Sequence, residues 1–172
     1  MRKVLVIGSG GAGKSTFSKR LGEILGVEVV HLDSLYWKPG WVETPKDVWK
    51  ETIENLLKRD AWIMDGNYSG TLEMRLAACD AVIFLDIARG VCLWRVTRRA
   101  LRYRNKRRPD MAPGCYEKLD MGFVEFVRWI WNYPKRSRTK ILKMLQTLPA
   151  DRRVFRLRSQ AEVEEFLDGL EG

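Results

Sequence analysis

A glycine-rich segment near the beginning of the chain has the residue types and the spacing that hold phosphate groups. It reads Gly8-Ser-Gly-Gly-Ala-Gly-Lys14-Ser15 and matches the pattern G-x-x-x-x-G-K-[ST]. The segment directly follows an apolar run at residues 3–7 and opens an amphipathic run at residues 14–25. Glycines let main-chain N–H groups turn towards an anion, and the positive end of the helix dipole adds to the attraction. The pattern and its context together predict a nucleotide-binding loop.

The side chains at the end of this loop predict how the nucleotide is held. The Lys14 ammonium would reach the β and γ phosphates, and the Ser15 hydroxyl would ligate Mg²⁺. We therefore expect ATP and Mg²⁺ as cofactors. The predicted nucleotide-binding set of the loop is Gly8, Gly10, Gly11, Ala12, Gly13, Lys14, Ser15 and Thr16.

Three aspartates follow strand-like runs and are candidates for a second contact to the metal. Mg²⁺ often takes a carboxylate from the end of a neighbouring strand, at the edge where ligands bind in parallel sheets. Asp65 is the best placed, whereas Asp33 and Asp86 follow other strand-like runs. Each carboxylate could instead cap a helix or brace a loop. The sequence therefore predicts a metal site formed by Ser15 and Asp65.

Strand-like and helix-like patterns alternate along the chain and predict the elements that position these residues. Because parallel strands need crossover connections, this alternation predicts a three-layer α/β/α domain with a five-stranded parallel sheet. The whole chain, residues 1–172, is expected to form one domain. Strands are predicted at 3–7, 27–32, 61–64, 81–85 and 153–157, and helices at 14–25, 46–59, 72–78, 91–103, 123–148 and 161–170.

Prolines, glycines and capping residues predict where these elements end. Residues 33–45 and 105–114 are predicted loops, the second of them exposed and mobile. Pro134 is expected to bend or interrupt the long helix at 123–148, because proline has no N–H to donate. Ser159 and Glu162 have the spacing of a capping box at the start of the last helix.

The composition excludes several classes of protein. With 45% hydrophobic and 31% charged residues, the chain is expected to fold into a globular domain, and it has no apolar run long enough for a membrane span. It has three cysteines and one histidine, His31, which argues against a disulfide framework and against a metal site built from several histidines. No leader pattern is visible at the N-terminus, so we expect a cytoplasmic protein.

Positive charge is concentrated in the second half of the chain and predicts an anionic ligand. Residues 89–158 hold 20 of the 31 Lys and Arg residues but only 5 of the 22 Asp and Glu residues. Arg95 and Arg99 are four residues apart and should lie on one face of a helix. An arginine that reaches the transferring phosphoryl group raises the rate of such reactions by about 10³–10⁵. Arg99, Arg136 and Arg138 are candidates for that role, although most of these arginines could simply be solvated.

Three segments carry a resemblance to a known family: His31-Leu-Asp33 to Trp41, Trp62 to Gly70, and Asp80-Ala-Val-Ile-Phe-Leu-Asp86. With the glycine-rich loop, they make the chain similar to adenylate kinases and related small kinases, and within that group it resembles the DNA topology modulation proteins. This resemblance spans nearly the whole chain. It implies a sheet of order 2-3-1-4-5, a mobile lid at about residues 102–122, and phosphoryl transfer from ATP. It also implies a Mg²⁺-associated role for Asp65.

Departures from the adenylate kinase pattern bear on the phosphoryl acceptor. The family's Asp-Gly-Phe-Pro-Arg segment here reads Asp65-Gly-Asn67-Tyr68-Ser69, which lacks the arginine that grips a nucleoside monophosphate. Asp33, with Tyr36 and Trp37, is similar to the residues with which uridine-kinase-like and nicotinamide-riboside-kinase-like enzymes hold a nucleoside. A hydroxyl acceptor needs such a carboxylate to take its proton.

We therefore expect a small-molecule kinase with a hydroxyl acceptor, acting as a monomer or homodimer. The predicted catalytic residues are Lys14, Asp33, Arg99 and Arg136, with Arg95 and Arg99 on the nucleotide. Trp37, Trp41 and Tyr68 could form an aromatic wall or belong to the core. The predicted acceptor-binding residues are Asp33, Tyr36, Trp37, Asn67 and Tyr68.

A nucleic-acid-associated ATP-binding protein is the competing interpretation. Trp129, Trp131 and Tyr133 alternate with basic residues, as on surfaces that stack bases and contact phosphates. Their spacing is also typical of helix residues in a core, and no known nucleic-acid-binding motif is present. A membrane-surface role is disfavoured, because the basic residues do not form one amphipathic helix.

Overall fold

The computed structural model describes residues 1–106 and 111–171. Strands and helices alternate along the chain, as the sequence predicts. The strands are β1 (Lys3–Gly8), β2 (Val29–His31), β3 (Trp37–Lys38), β4 (Val42–Glu43), β5 (Trp62–Asp65), β6 (Ala81–Leu85) and β7 (Arg153–Leu157). The helices are α1 (Lys14–Leu25), α2 (Leu32–Tyr36), α3 (Lys46–Leu57), α4 (Ser69–Ala78), α5 (Arg89–Arg102), α6 (Met121–Asn132), α7 (Ser137–Gln146) and α8 (Gln160–Glu171).

Five parallel strands form the central sheet, in the order β2-β5-β1-β6-β7. Counting only these five strands along the chain, the order is 2-3-1-4-5, so the predicted fold is confirmed. The central strand β1 pairs with β5 and β6, and Val4 lies opposite both Ile63 and Ala81. Helices cover both faces of the sheet, which explains why the middle strands are continuously apolar in sequence.

The core lies in two layers, one on each face of the sheet. Because side chains alternate along a strand, Leu5 and Ile7 of β1 pack with α3, α4 and α7. Val4 and Val6 point to the other face and pack with α1, α5 and α8. The sheet is thereby held rigidly, and its carboxyl edge carries the loops that form the candidate site.

Residues 33–45 are more ordered than the predicted loop. They include most of α2 and a two-stranded hairpin, in which Trp37 pairs with Glu43. The Thr44 N–H and hydroxyl both donate to the Tyr36 carbonyl, at 3.0 and 2.6 Å, and close the hairpin. The Pro39-Gly40 pair therefore marks only the reversal between β3 and β4. The β2 strand is also shorter than the predicted 27–32.

The predicted long helix at 123–148 is interrupted at Pro134, as expected, and forms α6 and α7. The helix α6 begins earlier than predicted, because the Asp120 carboxylate caps it by accepting from the Phe123 N–H at 3.2 Å. At α8, the Ser159 hydroxyl accepts from the Glu162 N–H, while Glu162 accepts from the N–H of Arg158. The Ser159 half of the predicted capping box is therefore present, whereas the Glu162 carboxylate accepts from the N–H one residue before the usual one.

The segment between α5 and α6 packs against the β3–β4 hairpin. The Trp41 indole donates to the Tyr116 carbonyl at 2.9 Å, and the Gly40 N–H donates to the Gly114 carbonyl at 3.1 Å. Met111 is buried, so the prediction of an exposed loop at 105–114 is wrong at that residue. Residues 107–110, which belong to the predicted loop and to the predicted lid, lie outside the described residues.

Two tryptophans of α6, for which the sequence left both core packing and an exposed surface open, are exposed. Trp129 is 39% exposed and Trp131 is 55% exposed, whereas Tyr133 is buried. The Arg89 guanidinium lies 4.0 Å from the centre of the Trp131 ring, so a cation–π contact covers part of that surface. Within residues 1–106 and 111–171, no helix is long and apolar enough to cross a membrane.

Candidate active site

The glycine-rich loop joins β1 to α1 at the carboxyl edge of the sheet. Gly13 precedes α1 with a φ of 96°, and no side chain caps the helix, so the first N–H groups of α1 face the loop without a capping partner. Such a helix N-terminus attracts anions. Gly11 has a φ of 77°, and an added Cβ would lie 2.3 Å from the Cys92 carbonyl oxygen. Only glycine therefore allows α5 to pack this closely on the loop.

Lys14 folds back over the loop. Its Nζ donates to the carbonyl oxygens of Gly8 and Ser9, at 3.1 Å each. Burial lowers the pKa of Lys14, and the nearby carboxylates of Asp33 and Asp65 oppose that shift. The charge of Arg99 also acts on Lys14 and lowers its pKa further. The charges of Asp33, Asp65 and Arg99 thus all act on Lys14, although these residues lie far apart in sequence.

Asp65 is buried beside the loop at the end of β5. Its Oδ2 lies 2.9 Å from Nδ1 of His31, at the end of the neighbouring strand β2. A carboxylate here and the Ser15 hydroxyl in the first turn of α1 are hard oxygen ligands, which suit Mg²⁺. In the part of the chain that the structure describes, no three His, Cys, Asp or Glu residues could hold an ion by themselves.

The loop after β5 contacts the phosphate loop through Asn67. The Asn67 Oδ1 accepts from the Gly8 N–H at 3.1 Å, and its Nδ2 donates to the Gly8 carbonyl at 2.8 Å. Both ends of the amide are used on one residue of the phosphate loop. The side chain predicted to bind the acceptor therefore braces the phosphate loop in this arrangement.

Arg75 of α4 donates hydrogen bonds to the main chain of the same loop. This arginine is fully buried and donates to the carbonyls of Gly66, Asn67 and Tyr68, with a fourth contact to Thr71. Burial lowers its pKa to about 10. Sequence analysis missed Arg75, because an arginine in an amphipathic helix usually reaches solvent. The signal in the sequence is its position three residues after Leu72 and directly before Leu76, which places it in the apolar stripe of α4.

Replacing Arg75 with methionine is expected to lower the free energy of unfolding by about 2–4 kcal/mol, because carbonyls of the 66–68 loop lose their buried donors. Urea unfolding followed by tryptophan fluorescence measures the change. Arg59→Met removes an exposed arginine paired with Glu28 and should cost less than about 0.5 kcal/mol. A loss below about 1 kcal/mol for Arg75→Met would show that the loop does not need this clamp.

A cluster of aromatic rings forms one wall beside Asp33. The Tyr68 ring contacts Tyr36 and Trp49, with ring centres 4.6 and 5.0 Å apart, and those two rings contact each other at 5.1 Å. Trp37 adjoins Tyr36, also at 5.1 Å. The Tyr68 hydroxyl donates to Asp33 Oδ1 at 2.6 Å. Burial and the Asp33 charge both raise the pKa of Tyr68, so it remains a neutral donor. Tyr68 also has a φ of 34°, a conformation rare for tyrosine, and the hydrogen bond from Arg75 to its carbonyl maintains that conformation.

The four predicted arginines differ in their environments. Arg95 donates to the Ala12 carbonyl at 3.3 Å and to Gln160 at 2.8 Å, so it contacts the phosphate loop. Arg99 lies 3.8 Å from the Glu117 carboxylate, and its charge lowers the pKa of Lys14. Arg136 is exposed at the start of α7. Arg138 is paired with Asp86, which braces α7 against the sheet.

Comparisons with known proteins show a shared fold. No protein-family model and no curated protein matches this chain. A shikimate kinase from Acinetobacter baumannii, solved in complex with shikimate, is 16% identical with a TM-score of 0.62 over 99% of this chain and 90% of that chain. A gluconokinase from Sinorhizobium meliloti 1021 is 18% identical with a TM-score of 0.52 over 98% and 91% of the two chains.

A shikimate kinase from Bacteroides thetaiotaomicron is 14% identical, with a TM-score of 0.57 over 98% of this chain and 95% of that chain. At such identities the likeness establishes the fold, and it extends over nearly the full length of each protein. The chain thus has the fold of these small-molecule kinases, and the chemistry has to be argued from its own site.

Proposed function

We propose, from a fold that the chain shares with solved small-molecule kinases, that this protein transfers the γ-phosphoryl group of MgATP to a hydroxyl group of a small molecule. The observation that carries the proposal is the Asp33 carboxylate. It lies close enough to Lys14 to affect its pKa, and it already accepts a hydrogen bond from a hydroxyl group, that of Tyr68, at 2.6 Å. A base beside the phosphate-binding lysine is the requirement for a hydroxyl acceptor.

The donor side of the site uses the phosphate loop. Its main-chain N–H groups and the N-terminus of α1 would hold the β and γ phosphates, while Lys14 would leave the carbonyls of Gly8 and Ser9 to contact them. Ser15 and Asp65 would hold Mg²⁺, which neutralises charge on the phosphates. Arg95 and Arg99 of α5 would contact the nucleotide, because both are already positioned at the loop.

The acceptor side uses Asp33 and the aromatic wall. The acceptor hydroxyl would replace the Tyr68 hydroxyl on Asp33, and Tyr36 and Trp37 would pack against a ring or carbon skeleton. In the transfer, the acceptor oxygen bonds to the γ-phosphorus as the bond to the β–γ bridging oxygen of ATP breaks. The proton of the acceptor passes to Asp33, and ADP leaves.

The type of acceptor distinguishes this proposal from an adenylate-kinase-like activity. ADP formation is measured with MgATP and a panel of nucleosides, nucleoside monophosphates and hydroxylated ring acids, and ³¹P NMR identifies the product. We expect turnover with a phosphate-free hydroxyl compound and a new phosphate monoester in the spectrum. Turnover that requires a nucleoside monophosphate, with a new diphosphate as product, would contradict a hydroxyl acceptor.

A second candidate is the nucleic-acid-associated protein that the resemblance to DNA topology modulation proteins suggests. The observation that favours it is a pair of exposed tryptophans beside arginines: Trp131 with Arg89, and Trp94 with Arg98 at 5.2 Å. Fluorescence titration with single-stranded DNA at several salt concentrations tests it. Binding that weakens steeply with salt, without acceptor phosphorylation, would favour this candidate over the kinase.

A further inference from the structure

A cavity lies beside the phosphate loop, on residues that the proposed transfer does not use. Its volume is about 670 Å³, and the ends of β6 and β7 form its wall together with the beginnings of α5 and α7. Ser9 of the phosphate loop also contributes to the wall. The α5 arginines that face the phosphate loop, Arg95 and Arg99, are not part of this wall and lie further along the helix.

The cavity has a strongly positive lining. Four arginines line it against one acid, Asp86. Asp86 is nearly buried and accepts from Nε and Nη2 of Arg138, at 2.8 and 3.1 Å, and from the same two atoms of Arg156, at 2.8 and 2.6 Å. One carboxylate thus satisfies two guanidinium groups only in part. Arg89 and Arg158 leave further positive charge uncompensated in the wall.

Donors for an anion remain on these groups. A guanidinium has five N–H bonds, and Nη1 of Arg138 and of Arg156 bonds to no other described residue. The Arg158 side chain is exposed and likewise bonds to no other described residue. Helix α5 starts here after Ala88 without a capping side chain, so the N–H groups of its first turn add attraction for an anion.

Two hydroxyl groups in the same wall lack ordinary partners. Tyr133 is 4% exposed, and its hydroxyl has no hydrogen-bond partner among the described residues. The Ser9 hydroxyl is equally buried, and its polar neighbour is the Cys92 thiol, a weak hydrogen-bonding group. Buried polar groups normally find partners, so unsatisfied hydroxyls beside a cationic cavity suggest that a ligand completes the wall.

We propose that this cavity binds the phosphate or carboxylate group of a small molecule, at a site separate from the one that Lys14 serves. Arginines recognise both kinds of anion by paired hydrogen bonds. The anion comes from one of two sources, a carboxylate group of the phosphoryl acceptor itself or the phosphate or carboxylate group of a separate effector. Because Ser9 belongs both to this wall and to the phosphate loop, an anion bound in the cavity would affect the proposed transfer site.

Binding of inorganic pyrophosphate to the Lys14→Met protein tests the site, because this change removes the charged donor of the phosphate loop and leaves the cavity arginines in place. Isothermal titration calorimetry should still show binding. Arg158→Gln in the same background should weaken it by about tenfold, the usual effect of losing one charged hydrogen bond. Arg89→Gln, a second exposed position, should weaken it as well. Arg153→Gln is the matched control, because Arg153 lies on β7 but at the opposite end of the strand.

No binding by the Lys14→Met protein, or an equal loss with Arg153→Gln, would overturn the proposal. The two sources are then separated by competition. If the acceptor found by the panel displaces pyrophosphate from the Lys14→Met protein, the cavity holds the anionic end of the acceptor. If it does not, the cavity belongs to an effector. The pyrophosphate titration does not depend on kinase activity, so it tests the cavity even if the proposed phosphoryl transfer is wrong.

Discussion

Lys14→Met is expected to reduce acceptor-dependent ADP formation by at least about 10³-fold, since one well-placed charge on a transferring group contributes this much. In the structure the ammonium group donates to two carbonyls of the phosphate loop, at 3.1 Å each, so its charge lies at the loop that would hold the phosphates. Methionine has a similar length and no charge. Coupled detection of ADP, with saturating acceptor, measures the effect.

The stability of this variant should remain at least as high as that of the wild type. Burial lowers the pKa of Lys14, which means that its positive charge costs free energy in the protein without nucleotide. Thermal unfolding of both proteins checks this. Lys19→Met, on the exposed side of the same helix, is the matched control and should keep full activity. Turnover within about tenfold of wild type for Lys14→Met would show that ATP is held elsewhere.

The parts of the site that the sequence predicts well are local in the chain. The phosphate loop could be recognised because its glycines, its lysine and the flanking strand and helix lie within about two dozen residues. The parallel sheet also follows from alternating patterns, because parallel strands need crossover connections, and its strand order is the one that the resemblance to adenylate kinases implies. Both of these expectations agree with the structure, from the Val4 pairings to the sharp turn at Gly11.

The parts that sequence reasoning missed depend on contacts between distant residues. Arg75 differs from a surface arginine only through the carbonyls of the 66–68 loop, and no periodicity shows that these turn inwards. The sequence left core packing and exposure both open for Trp129 and Trp131 for the same reason. Their helical spacing was typical of a core face, but α6 packs on the phosphate loop through Phe126 and Ile130, beside Gly10, and leaves those two rings outside.

Asp33→Asn is expected to lower the rate of phosphoryl transfer at saturating substrates by about 10²–10⁴-fold, the usual contribution of a general base. Asparagine keeps the shape of the side chain and can still accept from the Tyr68 hydroxyl, but it cannot take a proton. ATP binding should change little, because the carboxylate is placed on the acceptor side. Steady-state kinetics with the acceptor identified by the panel would separate the effect on kcat from that on KM.

The hydrogen bond between Tyr68 and Asp33 provides the control that separates chemistry from structure. Tyr68→Phe removes that bond, which is 2.6 Å long, but leaves the carboxylate and the aromatic wall in place. If Asp33 acts as the base, Tyr68→Phe should change kcat by less than about tenfold, because only the net free energy of one hydrogen bond is lost. If Asp33 serves only to anchor Tyr68, both variants should lose activity equally. Because the acceptor hydroxyl would occupy the position that Tyr68 now holds on Asp33, Tyr68→Phe should also lower the KM of the acceptor.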